Sequence, residues 1–256
     1  MSSKFEIEKK DLIEGLGKGL KILEAFSYDT PSLTSTEAGN LTGLTRTAAR
    51  RYLLSLVYFG YAETDGKHYW LKPKALKIGQ GYLDSSRIPR LVAPFLQRLS
   101  IQTEETANFS ILDDHDIVYL TRSNSPDMVS IGFNTGARIP AHCVSPGYVL
   151  LSKLPKQELD AWIKSHTFNR FTAHTVCEIK EFRKLIQQTR EQDYFISNQC
   201  INLALAGISV PLTNRKGIYV GALSITYQAK KYANNLVISK LLPPLQEAVD
   251  ALRVII

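Results

Sequence analysis

The chain has 256 residues, of which 44% are hydrophobic and 21% charged, a balance that excludes a disordered or fibrous polypeptide and supplies the core of one large or two smaller domains. Thirty-one Lys and Arg oppose 24 Asp and Glu, a formal charge of +7, which favours a polyanionic partner wherever the excess is concentrated. No segment offers the roughly 18 uninterrupted apolar residues of a membrane span, and the opening MSSKFEIEKKDLIEG lacks an apolar signal core, so the expected location is the cytoplasm.

Along the chain, the first elements read as helices. Leu16, Leu20 and Leu23 form an apolar stripe at i, i+4 and i+7. Asp29-Thr30-Pro31-Ser32 breaks that helix. Ser35 or Thr36 caps a short second one with Glu37 in its first turn, and Thr42-Gly43-Leu44 is the turn that follows. Thr45 caps a third helix running to about Phe59, with Ala49, Leu53, Leu56 and Val57 as its core face. At about 100° per residue, Thr47, Arg50 and Arg51 share an arc beside that face, and the helix carries no acid. Tyr61–Thr64, the turn Asp65-Gly66 and Lys67–Leu71 make a hairpin.

This order is that of a winged helix-turn-helix, placed at residues 13–74. Residues 38–83 hold seven basic side chains, Arg46, Arg50, Arg51, Lys67, Lys72, Lys74 and Lys77, against the acids Glu63 and Asp65. The third helix is expected in the major groove of promoter DNA. One of Arg46, Arg50 or Arg51 reads a base there through the bidentate geometry that guanine offers, while Thr45, Thr47, Lys67 and Tyr69 hold phosphates. The plainer alternative, a surface helix whose arginines only keep the protein soluble, leaves the agreement of turn, wing and charge unexplained.

Residues 75–87 read as a linker helix that transmits between domains, and 88–256 as an α+β domain with a largely antiparallel sheet. Helices are expected at about 90–100, 146–153, 156–165, 178–191 and 235–254. Strands are expected at 106–112, 117–122, 128–133, 194–198, 207–212 and 218–227. The three cysteines, Cys143, Cys177 and Cys200, have no CxxC spacing and so imply neither a disulfide framework nor a zinc knuckle.

From end to end the chain resembles the IclR-type bacterial transcriptional regulators. The carriers are GLGKGLKILEAF (15–26), LTGLTRTAARRYLLSLVYFGY (41–61), LKPKALKIGQGYL (71–83), TGARIPAHCVSPGYVLLSKLP (135–155) and GISVPLTNRKGIYVGALSITY (207–227). TRTAARRYLLSL with TGARIPAH is most similar to the branch sensing aromatic acids. The resemblance implies a winged helix-turn-helix joined to a GAF-like, or profilin-like, effector domain. It also implies a homodimer or dimer of dimers on a palindromic site, an aromatic carboxylate effector such as protocatechuate or p-hydroxybenzoate, and contact with RNA polymerase if the protein activates. The family usually has acids where this chain has Asn198-Gln199-Cys200-Ile201-Asn202. Amides there remove repulsion for an anionic effector and bring Asn198 into consideration as a ligand contact.

Ser145-Pro146-Gly147-Tyr148 reads as a helix start, with Ser145 as cap and free N–H groups at Gly147 and Tyr148. Such an end is either a plain cap or a carboxylate site. Arg138 and His142 lie just upstream. Arg138 either meets the same anion or forms a structural ion pair with an acid of the sheet, and His142 is either a ligand contact or an ordinary buried histidine. Ser224 and Thr226 alternate on one strand face and are suited to ring hydroxyls.

No GxSxG, HExxH or Gly-rich phosphate loop is present, and no cofactor or metal motif. Cys143 beside His142 is better read as packing than as a thiol nucleophile, because neighbours on an extended chain point to opposite faces. No catalytic residue is therefore expected, and the resemblance implies a non-enzymatic regulator of an aromatic-acid catabolic operon. The alternatives are a regulator of another small carboxylate, or a small-molecule-binding protein or enzyme whose basic N-terminal domain mediates protein contacts.

Overall fold

The computed structural model describes residues 7–27, 29–124 and 133–256. The chain divides into two compact units, Met1–Tyr82 and Leu83–Ile256. Among the described residues no helix is long and apolar enough to cross a membrane.

The first unit contains α1 (Glu14–Glu24), β1 (Ser32–Thr34), α2 (Ser35–Thr42), α3 (Arg46–Tyr58), β2 (Ala62–Thr64) and β3 (His68–Leu71), and α4 (Leu76–Ser85) carries the chain onward. Its core is Ile22, Leu33, Ala38, Ala49, Leu53 and Tyr69. The three strands form an antiparallel sheet in the order β1-β3-β2. The cap of α2 is Thr34 rather than Ser35 or Thr36. Its hydroxyl accepts from the Glu37 N–H, and the Glu37 carboxylate accepts from the Thr34 N–H at 2.7 Å, a reciprocal capping box. Those hydrogen bonds hold the Glu37 carboxyl below the usual carboxylate range.

Gly43, at φ 70°, closes α2, and Gly39 allows the turn into α3 to pass close, since a Cβ there would lie 2.9 Å from the Leu44 carbonyl oxygen. The stripe expected to bury α1 is only partly buried. Ile22 is the residue in the core, while Leu16 and Leu20 remain 63% and 42% exposed.

The second unit comprises α5 (Arg87–Thr103), β4 (Thr106–Asp113), β5 (Asp116–Ser123), β6 (Arg138–Pro140), α6 (Ser145–Ser152), α7 (Lys156–Ser165), α8 (Ile179–Gln192), β7 (Phe195–Asn198), β8 (Leu205–Thr213), β9 (Tyr219–Gln228) and α9 (Asn234–Arg253). Its six strands are antiparallel, in the order β6-β5-β4-β9-β8-β7. The strand expected at 128–133 lies outside the described residues except for Phe133.

One sheet face is apolar. Ala107, Phe109, Ile208, Val210, Leu223 and Ile225 pack on Val92, Leu96 and Leu99 of α5 and on Val237, Leu241, Leu245 and Leu252 of α9. The other face meets α6–α8 through Ile117, Tyr119 and Ala222 against Tyr148, Leu151, Trp162 and Phe182.

A bulge between Phe109 and Ser110 interrupts the β4–β5 ladder, so that Phe109 opposes Thr121 while Ser110 opposes Tyr119. Leu120 is the extra residue. Two-residue alternation alone would put Tyr119 and Arg122 on opposite faces; the bulge puts both on the face beneath α6.

Thr34→Ala removes one half of the capping box and is expected to destabilise the DNA-binding unit by about 1 kcal/mol. A urea titration of the intact protein followed by amide exchange in α2 and α3 measures the loss, and no change would show the cap to be dispensable.

Candidate functional site

The first candidate surface is α3 with its wing. The Thr45 side chain caps α3 by accepting from the Ala48 N–H at 3.2 Å. Arg46, Thr47, Arg50 and Arg51 are exposed, while Ala49 and Leu53 point into the core. Arg46 and Arg50, and likewise Thr47 and Arg51, are four residues apart and share faces of the helix. Among the described residues none of these arginines forms a salt bridge, so their charge is not neutralised within the unit.

At the wing tip Asp65 Oδ1 accepts from the backbone N–H groups of Lys67 and His68 at 2.8 and 2.7 Å. These bonds hold its carboxyl down at about 2 and fix the turn that projects Lys67 into solvent. Lys74 has a structural role: its Nζ donates to the Phe59 carbonyl at 2.7 Å and lies over the Tyr61 ring. Tyr69 corrects the expectation. It is 2% exposed and packed in the core opposite Leu33, because its place in β3 turns it inward, so it is not available to a phosphate.

The second candidate is a narrow pocket in the second unit between the polar part of the sheet and the start of α6. It is lined by Tyr119, Phe133, Val144, Ser145, Pro146, Ser197, Leu205, Ala206, Gly207, Ser224 and Thr226. About 30 Å³ is free to the centres of water-sized molecules, room for about two of them, so a ring ligand enters only if the walls part. Ser224 is 1% exposed, and its Oγ has no hydrogen-bond partner among the described residues. Thr226 Oγ1 accepts from Asn108 Nδ2 at 3.1 Å. The expected strand pair Ser224 and Thr226 thus reaches the pocket, as does Ser145.

The other predicted contacts lie elsewhere. Ser145 is the first residue of α6 rather than its cap, and its N–H donates to Ser197 Oγ at 3.0 Å. The N–H groups expected to be free are occupied, since Gly147 and Tyr148 both donate to the Val144 carbonyl. Gly147 is a close-approach residue instead: a Cβ there would fall 1.9 Å from the Ala141 oxygen. Arg138 takes the structural role, pairing with Asp113 at 2.5 Å and Asp116 at 3.2 Å on the sheet edge, outside the pocket lining. Asn198 is exposed at the end of β7 and does not line the pocket either.

His142 is fully buried away from the pocket. Its Nε2–H donates to the Asn169 carbonyl at 3.0 Å, which leaves Nδ1 to accept from His166 Nε2 at 2.8 Å. Trp162 stacks on His166, and His115 lies beside both. Burial holds His142 below the usual imidazole value. Burial and then the two neighbouring imidazoles bring His166 to about 4. Cys143 is 1% exposed, and burial raises its thiol far above the ordinary range, so it is no nucleophile at neutral pH. Among the described residues no group of His, Cys, Asp or Glu is arranged to hold a metal ion.

Residues 15–66 match the IclR helix-turn-helix domain, and residues 80–254 match the domain described as Bacterial transcriptional regulator IclR C-terminal. The chain belongs to the IclR family of transcriptional regulators. This IclR-family chain is 36% identical over 253 residues to a p-hydroxybenzoate hydroxylase transcriptional activator of Acinetobacter baylyi, covering 97% of this chain and 93% of that protein. It is 33% identical over 251 residues to the Pca operon regulatory protein of the same organism, covering 96% and 90%. A solved double mutant of the PobR inducer-binding domain from Acinetobacter, in complex with 3-hydroxybenzoic acid, is similar with a TM-score of 0.63 at 30% identity, covering 67% of this chain and 100% of that one.

In this IclR-family protein, sequence reasoning missed Tyr119, Phe133 and Ser197 as pocket residues. For Ser197 the signal was available in the two-residue alternation of β7; for Tyr119 the bulge concealed it.

The histidine cluster sets a pH dependence. Above about 6.5 His142 and His166 are neutral whether the domain is folded or not. As pH falls from there towards 4, the unfolded chain takes up protons that folded His142 and His166 refuse, so stability is lost across that window. Urea midpoints between pH 7.5 and 4 should fall for the natural protein and fall less for His166→Phe. Equal slopes would assign the acid sensitivity to other groups.

Proposed function

We propose that this protein regulates aromatic-acid catabolic genes, acting as an activator that binds a palindromic promoter site through α3 and the wing and senses protocatechuate or p-hydroxybenzoate in the effector pocket. The observation that carries the reading is the pocket itself. Tyr119 and Phe133 supply ring-stacking walls, over a floor where Ser224 presents an unpaired buried hydroxyl beside Thr226 and Ser197. A ring with polar substituents fits that chemistry. The names of the Acinetobacter relatives and the bound 3-hydroxybenzoic acid support it.

A palindrome calls for two recognition helices, so the working unit is a homodimer or dimer of dimers. The apolar side chains Leu16 and Leu20 of α1 and Leu76 and Ile78 of α4 are exposed on the first unit and are suited to self-association. An effector that parts the pocket walls binds one arrangement of the domain better than another, and that difference is what linkage needs to alter promoter affinity or contact with RNA polymerase.

Two measurements test the reading. Thermal melting with protocatechuate, p-hydroxybenzoate, benzoate, adipate and glyoxylate should show a shift confined to the hydroxylated benzoates, about 2.7 kcal/mol at 100 times the dissociation constant. A shift with adipate or glyoxylate alone would reject the aromatic effector. Promoter binding should fall steeply with salt, Arg50→Ala should cost roughly 1–3 kcal/mol, and Lys67→Ala should lower the salt slope by about 1. Binding indifferent to both substitutions and to salt would reject the major-groove assignment.

A further inference from the structure

Arg122 stands out among the cations of the effector unit. Arg138, Arg183 and Arg253 each pair with an aspartate, and Arg190 donates to the backbone carbonyls of Ser152 and Leu154. Arg122 is half-buried in β5, and among the described residues no carboxylate pairs with it. Its Nη1 donates to the carbonyl of Phe133, which ties the guanidinium to a residue of the pocket lining, although Arg122 itself does not line the closed pocket. Its Nε is buried without a partner, and no hydrogen bond engages Nη2 among the described residues. The open Nε/Nη2 edge presents two parallel N–H donors, the fork that matches a carboxylate.

The sheet register gives this edge a direction. Arg122 opposes Asn108, Asn108 opposes Ser224, and Ser224 opposes Ser209, so these polar residues form one cross-strand row on the face beneath α6. Arg122 and Ser224 are two strand spacings apart, about 10 Å between backbones. Less the reach of two side chains, that is the scale of a single ring with polar groups at both ends. Within the row, Nε of Arg122 and, two strands away, Oγ of Ser224 are buried and lack a partner among the described residues, whereas Ser209 at the far end donates to the Leu223 carbonyl.

Resting on the effector-pocket reading above, we propose that Arg122 is the carboxylate anchor of the effector site, receiving the two carboxylate oxygens on Nε–H and Nη2–H, while Ser224 bonds a polar substituent at the far end of the ring. Arg122 thereby sets the specificity for acids over neutral phenols.

The test is calorimetric titration of the full-length protein with p-hydroxybenzoate, its neutral amide, adipate and glyoxylate. The natural protein should bind the acid on the order of 100-fold more tightly than the amide. Arg122→Met should remove most of that preference by weakening the acid alone, and Arg122→Lys should restore part of it. If Arg122→Met binds the acid as the natural protein does, or if the natural protein binds amide and acid equally, the anchor is wrong while the aromatic reading stands. If the Met variant fails to fold, Arg122→Gln takes its place, and acid binding by that variant as tight as the natural protein's would overturn the anchor. Arg122-dependent binding of adipate or glyoxylate without any hydroxybenzoate would keep the anchor and reject the aromatic effector. Binding of none of the acids would overturn both.

Discussion

Burying a hydrogen-bonding group without a partner costs about 1–3 kcal/mol, more for a charge, and the effector unit is organised around where it accepts that cost. The sheet face toward α5 and α9 is apolar and closed. The face toward α6 carries Arg122, Asn108, Ser110, Ser224 and Ser209 along its cross-strand rows. Some of these are satisfied internally, Ser209 by the Leu223 carbonyl and Asn108 by Thr226. Among the described residues Ser110 Oγ, Ser224 Oγ and Arg122 Nε are not. Unpaired atoms in a well-packed fold are usually rare. Of the six such atoms among the described residues, these three share one face of the sheet, where Ser224 lines the pocket, while His115 Nδ1, Tyr148 Oη and His166 Nδ1 lie elsewhere.

The bulge between Phe109 and Ser110 makes that surface possible. Residues three apart in a regular strand face opposite ways, so Tyr119 and Arg122 could not both serve one pocket. The extra residue, Leu120, joins the apolar core on the far side, with Thr121 donating to the Pro89 carbonyl of α5. One irregularity therefore supplies a core side chain to one face and aims two functional side chains at the other.

How much of this was legible in the sequence depends on how local each signal is. The winged helix-turn-helix could be read almost residue by residue, because a cap at Thr45, a turn glycine at Gly43 and an Asp65-Gly66 hairpin are decided by neighbours a few positions away. Tyr69 was misjudged because the two faces of a short wing strand look alike until the partner strand is known, and β1, which buries it through Leu33, is only Ser32–Thr34.

The order of elements in the effector unit was also legible, since most are long and periodic. α9 even continues through Pro243-Pro244, where local rules favour a break; packing of Leu241, Leu242 and Leu245 holds it. The candidate pocket was legible only in part, through Ser145, Ser224 and Thr226. Arg138, His142 and Ser145 are close in sequence to the helix start, but Asp113 and Asp116 take the first, a histidine cluster takes the second, and Val144 displaces the third as cap. The residues that do border the pocket come from β5, β7, β8, β9, the start of α6 and the loops holding Phe133 and Val144, joined by register and packing rather than by nearness in sequence.

The same construction bears on regulation. A ligand equally suited to two arrangements of a protein shifts nothing between them, however tightly it binds. The pocket between Tyr119, Phe133 and α6 has room for water but not for a ring, so admitting a ring requires its walls to part. On the proposed anchoring, the ligand supplies Arg122 Nε and Ser224 Oγ with the partners they lack in the closed arrangement among the described residues. A charge-assisted hydrogen bond contributes about 1.5–3 kcal/mol, which is the size of a typical coupling between allosteric sites, about 1–3 kcal/mol. One guanidinium edge, anchoring as proposed, is therefore large enough to tip such an equilibrium.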